Sequence, residues 1–333
     1  MLRSFVVSRR RWPLKAPFRI SRGVKTAAET VMVELRRGAA AGRGESVPYP
    51  RYGESVEAVV AQLATVAAAF ESGMPDDAVT AMLPPGAARN ALDCALWDLR
   101  ARESGRSVAA MTGLARPGRL ACAVTVSLDE PEAMAAAARA IADAPVVKVK
   151  LDADRVEERL LAVGQAAPNS RLIIDPNEGW TIDILRDVRP LLARLNIALI
   201  EQPLPAGEDA ALAGFDPPAP VCADESVHTV EQLQALKGRY QAINVKLDKA
   251  GGLTAAIALL AEGRRLGFTT MTGCMVGSSL AIAPALHIAG ASDFADLDGP
   301  WWLAEDWPDG VTLAGGWMSP PARGFWGEPG EVV

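Results

Sequence analysis

Acids and lysines recur along the second half of the chain at a nearly constant step, each at or just past the end of a short run of Val, Ile and Leu. Lys150 closes VVKVK, Asp175 closes LIID, Glu201 closes ALIE, Asp224 follows VCA, Lys246 closes INVK and Asp296 ends FAD. The steps are 25, 26, 23 and 22 residues, then 50, and TTMTGCM at 269–275 stands midway in the double interval. Short runs of this kind mark strands buried on both faces of a parallel sheet. Helix-like segments such as 253–266 lie between them, and a strand, a helix and two loops use up a step of this size. The pattern predicts an α/β fold of successive β/α units closing into a (β/α)8 TIM-type barrel. One polar residue per unit would then stand at the C-terminal mouth, where such barrels carry their chemistry.

Barrel strands are expected at 120–128, 146–151, 172–175, 198–201, 221–223, 242–247, 269–273 and 294–297. Helices are expected at 131–144, 154–166, 181–195, 229–236, 252–266 and 279–289, with a short one at 208–213. Residues 1–46 alternate in polarity as an antiparallel sheet does, with Gly38 and Gly42 as turn residues. Helical periodicity follows at 55–69 and 87–102. An α+β domain at 1–117 would thus precede a barrel at 118–299, with Pro117-Gly118 marking the boundary by turn chemistry. The Gly/Pro-rich segment 300–333 cannot form another β/α unit and is expected to fold back against the N-terminal domain.

A net charge of −6 without a long Lys/Arg block speaks against a nucleic-acid footprint. Arg9–Arg11 interrupt any apolar signal core, and the apolar stretches are broken by charge or Gly, so neither a secretory signal nor a membrane span is expected. Cys94, Cys122, Cys222 and Cys274 form no close-spaced pair, which fits buried thiols in a reducing cytoplasm. His228 and His287 are the only histidines, too few for a His-ligated zinc site and poorly suited to a Ser-His triad.

Asp175, Glu201 and Asp224 come from three successive strand ends and would point at one spot, where their charges repel. A hard divalent cation resolves this, and all-oxygen ligation favours Mg²⁺. Lys148 and Lys150 are two apart on a strand and so share its inner face, with Lys246 across the barrel. A lysine serves as a base only if its pKa falls, and a neighbouring cation and desolvation both push that way. For Lys148 an electrostatic role is as good a reading as proton transfer, and KLDK after Asn244 and Val245 also reads as a solvated loop. Asp296 and Asp298 share a face near the cavity and want a cationic partner such as a substrate ammonium, although Asp-Gly is also ordinary turn chemistry. Thr125 and Ser127, at the end of the first barrel strand, would line the pocket. The loop 21–26 presents Arg22, Gly23 and Lys25.

The KVK, DPN, EQP, ADES and KLDKAGG sequences, in this order and spacing, resemble the muconate-lactonising subgroup of the enolase superfamily over nearly the whole chain. That resemblance implies a capped barrel in which Asp175, Glu201 and Asp224 bind Mg²⁺ and Lys150 and Lys246 are the acid/base pair. Enolase-superfamily sites in general combine a Lys or His base with Mg²⁺. The PYPRYGES, GAARNALDCALWDL and FADLDGP stretches are similar to dipeptide epimerases of the L-Ala-D/L-Glu type. This implies an isomerase acting by 1,1-proton transfer on a small dipeptide, in the context of murein-peptide recycling. Asp296 and Asp298 would hold the dipeptide's ammonium, and Arg22 would address a carboxylate. One departure is Gly277, where many relatives carry a glutamate; its absence is expected to alter a supporting hydrogen bond or widen the pocket. Rival readings are an o-succinylbenzoate synthase or muconate cycloisomerase, whose substrates lack an ammonium, and a non-catalytic barrel that binds acidic peptides. The preferred dipeptide and the oligomeric state, a homo-oligomer included, stay open.

Overall fold

The computed structural model describes residues 2–115 and 118–330, so Pro117 of the expected boundary lies outside the described residues. Three antiparallel strands, β1 (Arg3–Ile20), β2 (Gly23–Arg37) and β3 (Ala40–Ser46), form a sheet in that order. Val31, Val33 and Leu35 alternate along β2 and are fully buried, packing against two helices. The first helix, Val56–Glu71, starts where Ser55 accepts from the Ala58 N–H at 3.1 Å and buries Val59, Leu63, Val66 and Phe70 along one stripe. The second, Ala87–Ser104, is buried on nearly every side because it lies between this sheet and the barrel.

Gly38 turns the chain with φ +62°, as expected, but Gly42 sits inside β3. A Cβ at Gly42 would lie 2.3 Å from the Ala95 carbonyl oxygen, and one at Gly44 2.2 Å from that of Ala91. These glycines let the helix backbone rest directly on the strand, a use of glycine that composition cannot tell from a turn.

The barrel follows as eight parallel strands: β5 (Val124–Val126), β6 (Val146–Lys150), β7 (Arg171–Asp175), β8 (Ile197–Glu201), β9 (Val221–Ala223), β10 (Ala242–Lys246), β11 (Thr269–Gly273) and β12 (Phe294–Asp296). The Ala123 N–H donates to the Ala295 carbonyl at 2.8 Å and joins the first strand's edge to the last. The expected strand 120–128 is divided. Its first part, β4 (Leu120–Ala121), pairs instead with the tail hairpin β13 (Thr312–Ala314) and β14 (Trp317–Ser319), closed by Gly315 and Gly316 at φ +56° and +71°. Further along the tail, the Gly327 N–H donates to Asp98 of the second cap helix at 2.7 Å, and Trp326 Nε1 to the Arg43 carbonyl at 2.8 Å.

Side-chain parity sets the site. Val147 and Val149 face the outer helices, whereas Val146 joins Ala123, Ile173, Leu199, Cys222, Ala242 and Met271 inside the barrel. Two residues beyond these interior positions come Lys148, Asp175, Glu201, Asp224 and Asn244, and two further Lys150 and Lys246. An apolar floor therefore carries a charged upper layer. Among the described residues no helix is long and apolar enough to cross a membrane, and all four cysteines are free.

Glu45 of β3 is completely buried, with Oε1 accepting from the Ser278 N–H at 3.2 Å. Burial pushes its carboxyl from 4.5 up to about 7. Its share of stability is therefore fully present below the unfolded value and is lost as pH rises through about 7. Glu45→Gln is expected to match the parent in urea unfolding at acidic pH. Under mildly alkaline conditions it should exceed the parent by up to ~3 kcal/mol, the equivalent of that shift. Equal stability differences at both pH values would refute the assignment.

Candidate active site

A cavity of about 470 Å³ opens at the C-terminal mouth of the barrel, under the cap. Lys150 and Lys246 both line it, from β6 and β10. In the sheet order three strands separate these two on one side (β7, β8, β9) and three on the other (β11, β12, β5), so the lysines stand across the barrel from each other. Lys148, Asp224, Thr125, Asp296 and Asp298 also line the cavity, whereas Asp175 and Glu201 are sealed beneath it.

Every acid of the upper layer meets a lysine except Asp298. Lys148 Nζ lies 3.0 Å from Asp175 Oδ2, 2.6 Å from Glu201 Oε2 and 2.7 Å from Asp296 Oδ2. Lys150 Nζ donates to Asp175 Oδ2 at 2.6 Å and Lys246 Nζ to Asp224 Oδ2 at 2.7 Å. Asn244 Nδ2 donates to Glu201 Oε1 at 2.8 Å. Burial alone would lower Lys148, but Asp296, Glu201 and Asp175 outweigh it and hold the amine well above its usual range. Lys246 is raised in the same way by Asp224 and Glu201, so the expected fall of a base's pKa is not a property of Lys246 by itself. Asp175 and Asp224 are held below the carboxylate range, since their lysines outweigh the burial. Glu201 is pushed up to about 7, by burial and then by the charge of Asp175.

Among the described residues no three acids approach one another as metal ligands do. The donor set nonetheless fits a hard divalent cation. Its three carboxylates come from adjacent strand ends with no His or Cys, they act on one another electrostatically, and the buried Glu201 Oε2 makes no hydrogen bond despite the nearby amine.

The remaining expected residues take these places. Asp298 caps no backbone with its side chain, although it opens the turn Gly299–Trp302; its Oδ2 accepts from the Thr125 N–H at 2.8 Å. Burial, then Asp296, pushes Asp298 up to about 6. Ser127 turns away to the cap, where its Oγ accepts from the Arg19 N–H at 2.7 Å. Arg22 reaches the cavity but is committed to protein: its guanidinium holds Glu225 Oε1 at 2.8 Å, Glu178 Oε2 at 3.0 Å and the Asn177 carbonyl at 2.8 Å. Arg51 clamps the same Glu178 through both oxygens, at 2.6 and 2.7 Å. Asn177 and Glu178 after β7 and Gln202 after β8 all have positive φ, a concentration of backbone strain at these strand ends. Gly277 leaves no widened pocket: a Cβ there would lie 2.8 Å from Val47 Cγ2, and the carboxylate standing nearby is Glu45.

Two lysines carry more than the sequence suggested. Lys249 is buried rather than solvated, its Nζ donating to Asp224 Oδ1 at 2.6 Å and to the Asn244 carbonyl at 3.0 Å. The three-residue spacing from Lys246, on a turn leaving the strand, was the available signal. Lys25 lines the cavity with no acidic partner among the described residues, lies 4.6 Å from the Tyr49 ring centroid, and is lowered by burial.

Carboxylates and opposed lysines at the mouth of a parallel barrel, roofed by an α+β cap, define a capped barrel of the enolase type. The mandelate racemase / muconate lactonizing enzyme N-terminal domain family matches residues 2–113, and the enolase C-terminal domain-like family matches residues 132–324. The chain belongs to the mandelate racemase / muconate lactonizing enzyme family of the enolase superfamily. It is 48% identical over 307 residues to the L-Ala-D/L-Glu epimerase of Escherichia coli K12, covering 92% of this chain and 96% of that protein. It is 46% identical over 288 residues to an N-acetyl-D-glutamate racemase of Pseudoalteromonas, covering 86% and 91%. Its fold matches, with a TM-score of 0.95 and 47% identity, an Agrobacterium tumefaciens enolase family member with homology to dipeptide epimerases, solved with sodium and L-Ala-L-Glu; 98% of this chain and 100% of that one are covered.

Proposed function

We propose that the chain is a Mg²⁺-dependent dipeptide epimerase. It inverts the α-carbon of the C-terminal residue of L-Ala-D/L-Glu-type dipeptides by two-base proton transfer through an enediolate. The observation that carries this reading is the placement of Lys150 and Lys246 in one cavity on opposite strands. One amine, neutral, takes the α-proton from its face; the other, as ammonium, returns a proton to the opposite face, and exchanged roles run the reaction backwards. A Mg²⁺ held by Asp175, Glu201 and Asp224 would supply the charge that draws these carboxylates from the lysines and offsets the second negative charge of the deprotonated substrate. Lys148 adds a fixed cation beside that charge. Asp296 and Asp298 receive the dipeptide's ammonium beside Thr125. The cap loops exclude water, with Arg22 and Arg51 pinning them to Glu178 and Glu225. Murein-peptide recycling in the cytoplasm is the setting in which such dipeptides arise.

Inversion and α-proton exchange of L-Ala-L-Glu and L-Ala-D-Glu in D₂O with Mg²⁺ test the reading; failure with both would sink it. The likeness to an N-acetylglutamate racemase favours a second reading, racemisation of N-acylated glutamate, which needs no ammonium partner. Faster turnover of N-acetylglutamate than of either dipeptide would select it.

Because Arg22 is already paired, Lys25 is the cation placed to receive the glutamate side-chain carboxylate. Lys25→Gln is expected to cut kcat/KM for L-Ala-L-Glu about ten- to a hundredfold, mostly through KM, the worth of one hydrogen bond to a charged group. L-Ala-L-Ala, if turned over, should be affected much less. Equal losses for both would refute the assignment.

A further inference from the structure

The turn that follows Lys246 is held by the barrel and the cap at once. Lys246 is the last residue of β10 and flanks a short helix, Leu247–Ala250. Asp248 in that helix is buried, and its Oδ1 accepts from the Val47 N–H at 3.0 Å and from Asn90 Nδ2 at 2.8 Å. Val47 is the root of the cap loop that carries Tyr49 and Tyr52 into the cavity, and Asn90 lies on the cap helix Ala87–Ser104. From the same helix Arg89 donates to the carbonyls of Ala250 and Gly251 at 2.9 and 3.2 Å, and Asp93 accepts from the Thr254 N–H at 2.9 Å. The approach is close: a Cβ on Gly251 would lie 2.5 Å from Arg89 Nε, and one on Gly252 2.5 Å from Asp93. On the barrel side Lys249 anchors the turn to Asp224 and Asn244.

Among the described residues the turn after Lys150 makes no hydrogen bond to the cap, whose contact with Lys150 is the Phe18 ring, 6.0 Å from Nζ. The chain beyond Lys150 is held within the barrel, where Arg159 pairs with Asp152 and Trp180 donates to the Asp152 carbonyl. The two lysines therefore differ in what fixes them, although they face the same cavity.

We propose that Asp248 is a positioning residue for Lys246, coupling the seating of the cap's Tyr49–Tyr52 loop and its helix to proton transfer on one face of the substrate only. The proposal rests on the two-lysine reading above. It also gives a role to Asn90 and to Asp248 of the KLDK sequence, neither of which the chemistry itself uses.

The test follows α-proton exchange of L-Ala-L-Glu and L-Ala-D-Glu separately in D₂O by NMR, using the full chain with Mg²⁺. Lys246→Ala identifies the epimer whose proton faces Lys246. Asp248→Ala is expected to slow that epimer's exchange tenfold or more and to leave the other within about threefold, since displacement of a reacting group by an ångström costs about this much. Asp248→Asn keeps an accepting Oδ1 and should restore most of the loss. Asn90→Ala removes one of the two donors, should give the same bias at smaller size, and serves if Asp248→Ala does not fold. Equal slowing of both epimers, or of neither, would overturn the proposal. Absence of exchange in the unaltered chain would instead overturn the two-lysine reading, and the coupling with it.

Discussion

Lys150→Ala and Lys246→Ala should each abolish inversion, lowering kcat by roughly 10³-fold or more, since a positioned acid or base contributes about 10²–10⁴-fold and inversion needs one on each face. The losses should not be symmetric in exchange. With Lys246 gone, Lys150 can still remove and return a proton on its own face, so one epimer exchanges its α-hydrogen with retention while the other is inert. The opposite pattern should hold for Lys150→Ala. Neither change should unfold the protein, because Asp175 keeps Lys148 at 3.0 Å and Asp224 keeps Lys249 at 2.6 Å. Inversion surviving in both variants would refute two-base chemistry; loss of all exchange in both would mean that neither lysine acts alone.

The placement of those lysines was legible because it depends on two periodicities that sequence carries directly. The β/α step put each polar residue at a strand end, and the period of two put Lys148 and Lys150 on one inner face; in the structure they pair with Ile173 and Asp175. What was not legible were partners fixed by tertiary approach. Arg22 sits on a turn, and nothing nearby in sequence announces Glu178 and Glu225, each more than 150 residues away. Lys249 was hidden for a related reason: KLDK has the composition of a solvated loop, and only the cap helix lying over it makes the turn interior. Gly42 and Gly44 are part of the same seam, since their missing side chains allow that helix to approach. The division of 120–128 into β4 and β5 also has a tertiary cause, the arrival of the tail hairpin at Leu120 and Ala121, about 200 residues later in the chain.

Lys148 gives the largest expected effect on stability. Its ammonium is buried and faces three carboxylates, from Asp175, Glu201 and Asp296, at 2.6 to 3.0 Å. Methionine fills a similar volume, so Lys148→Met removes the charge with little change in packing. Three carboxylates then share the barrel interior without that compensation, and breaking a buried ion pair from one side costs about 3–5 kcal/mol. Without added metal the variant should lose stability of that order in denaturant unfolding. Glu201, already pushed up by burial and then by Asp175, is expected to take up a proton in response. Mg²⁺ should act oppositely on the two proteins. Lys148 repels any cation that shares Asp175 and Glu201, so its removal should tighten Mg²⁺ binding at least tenfold by titration calorimetry, about 1.4 kcal/mol. Saturating Mg²⁺ should accordingly recover more stability in the variant than in the parent. Inversion should stay impaired even so, because the fixed charge beside the substrate is gone. Identical Mg²⁺ affinity and identical stabilisation in both proteins would place the ion away from Asp175 and Glu201, and with it would fall the assignment of those carboxylates as its ligands.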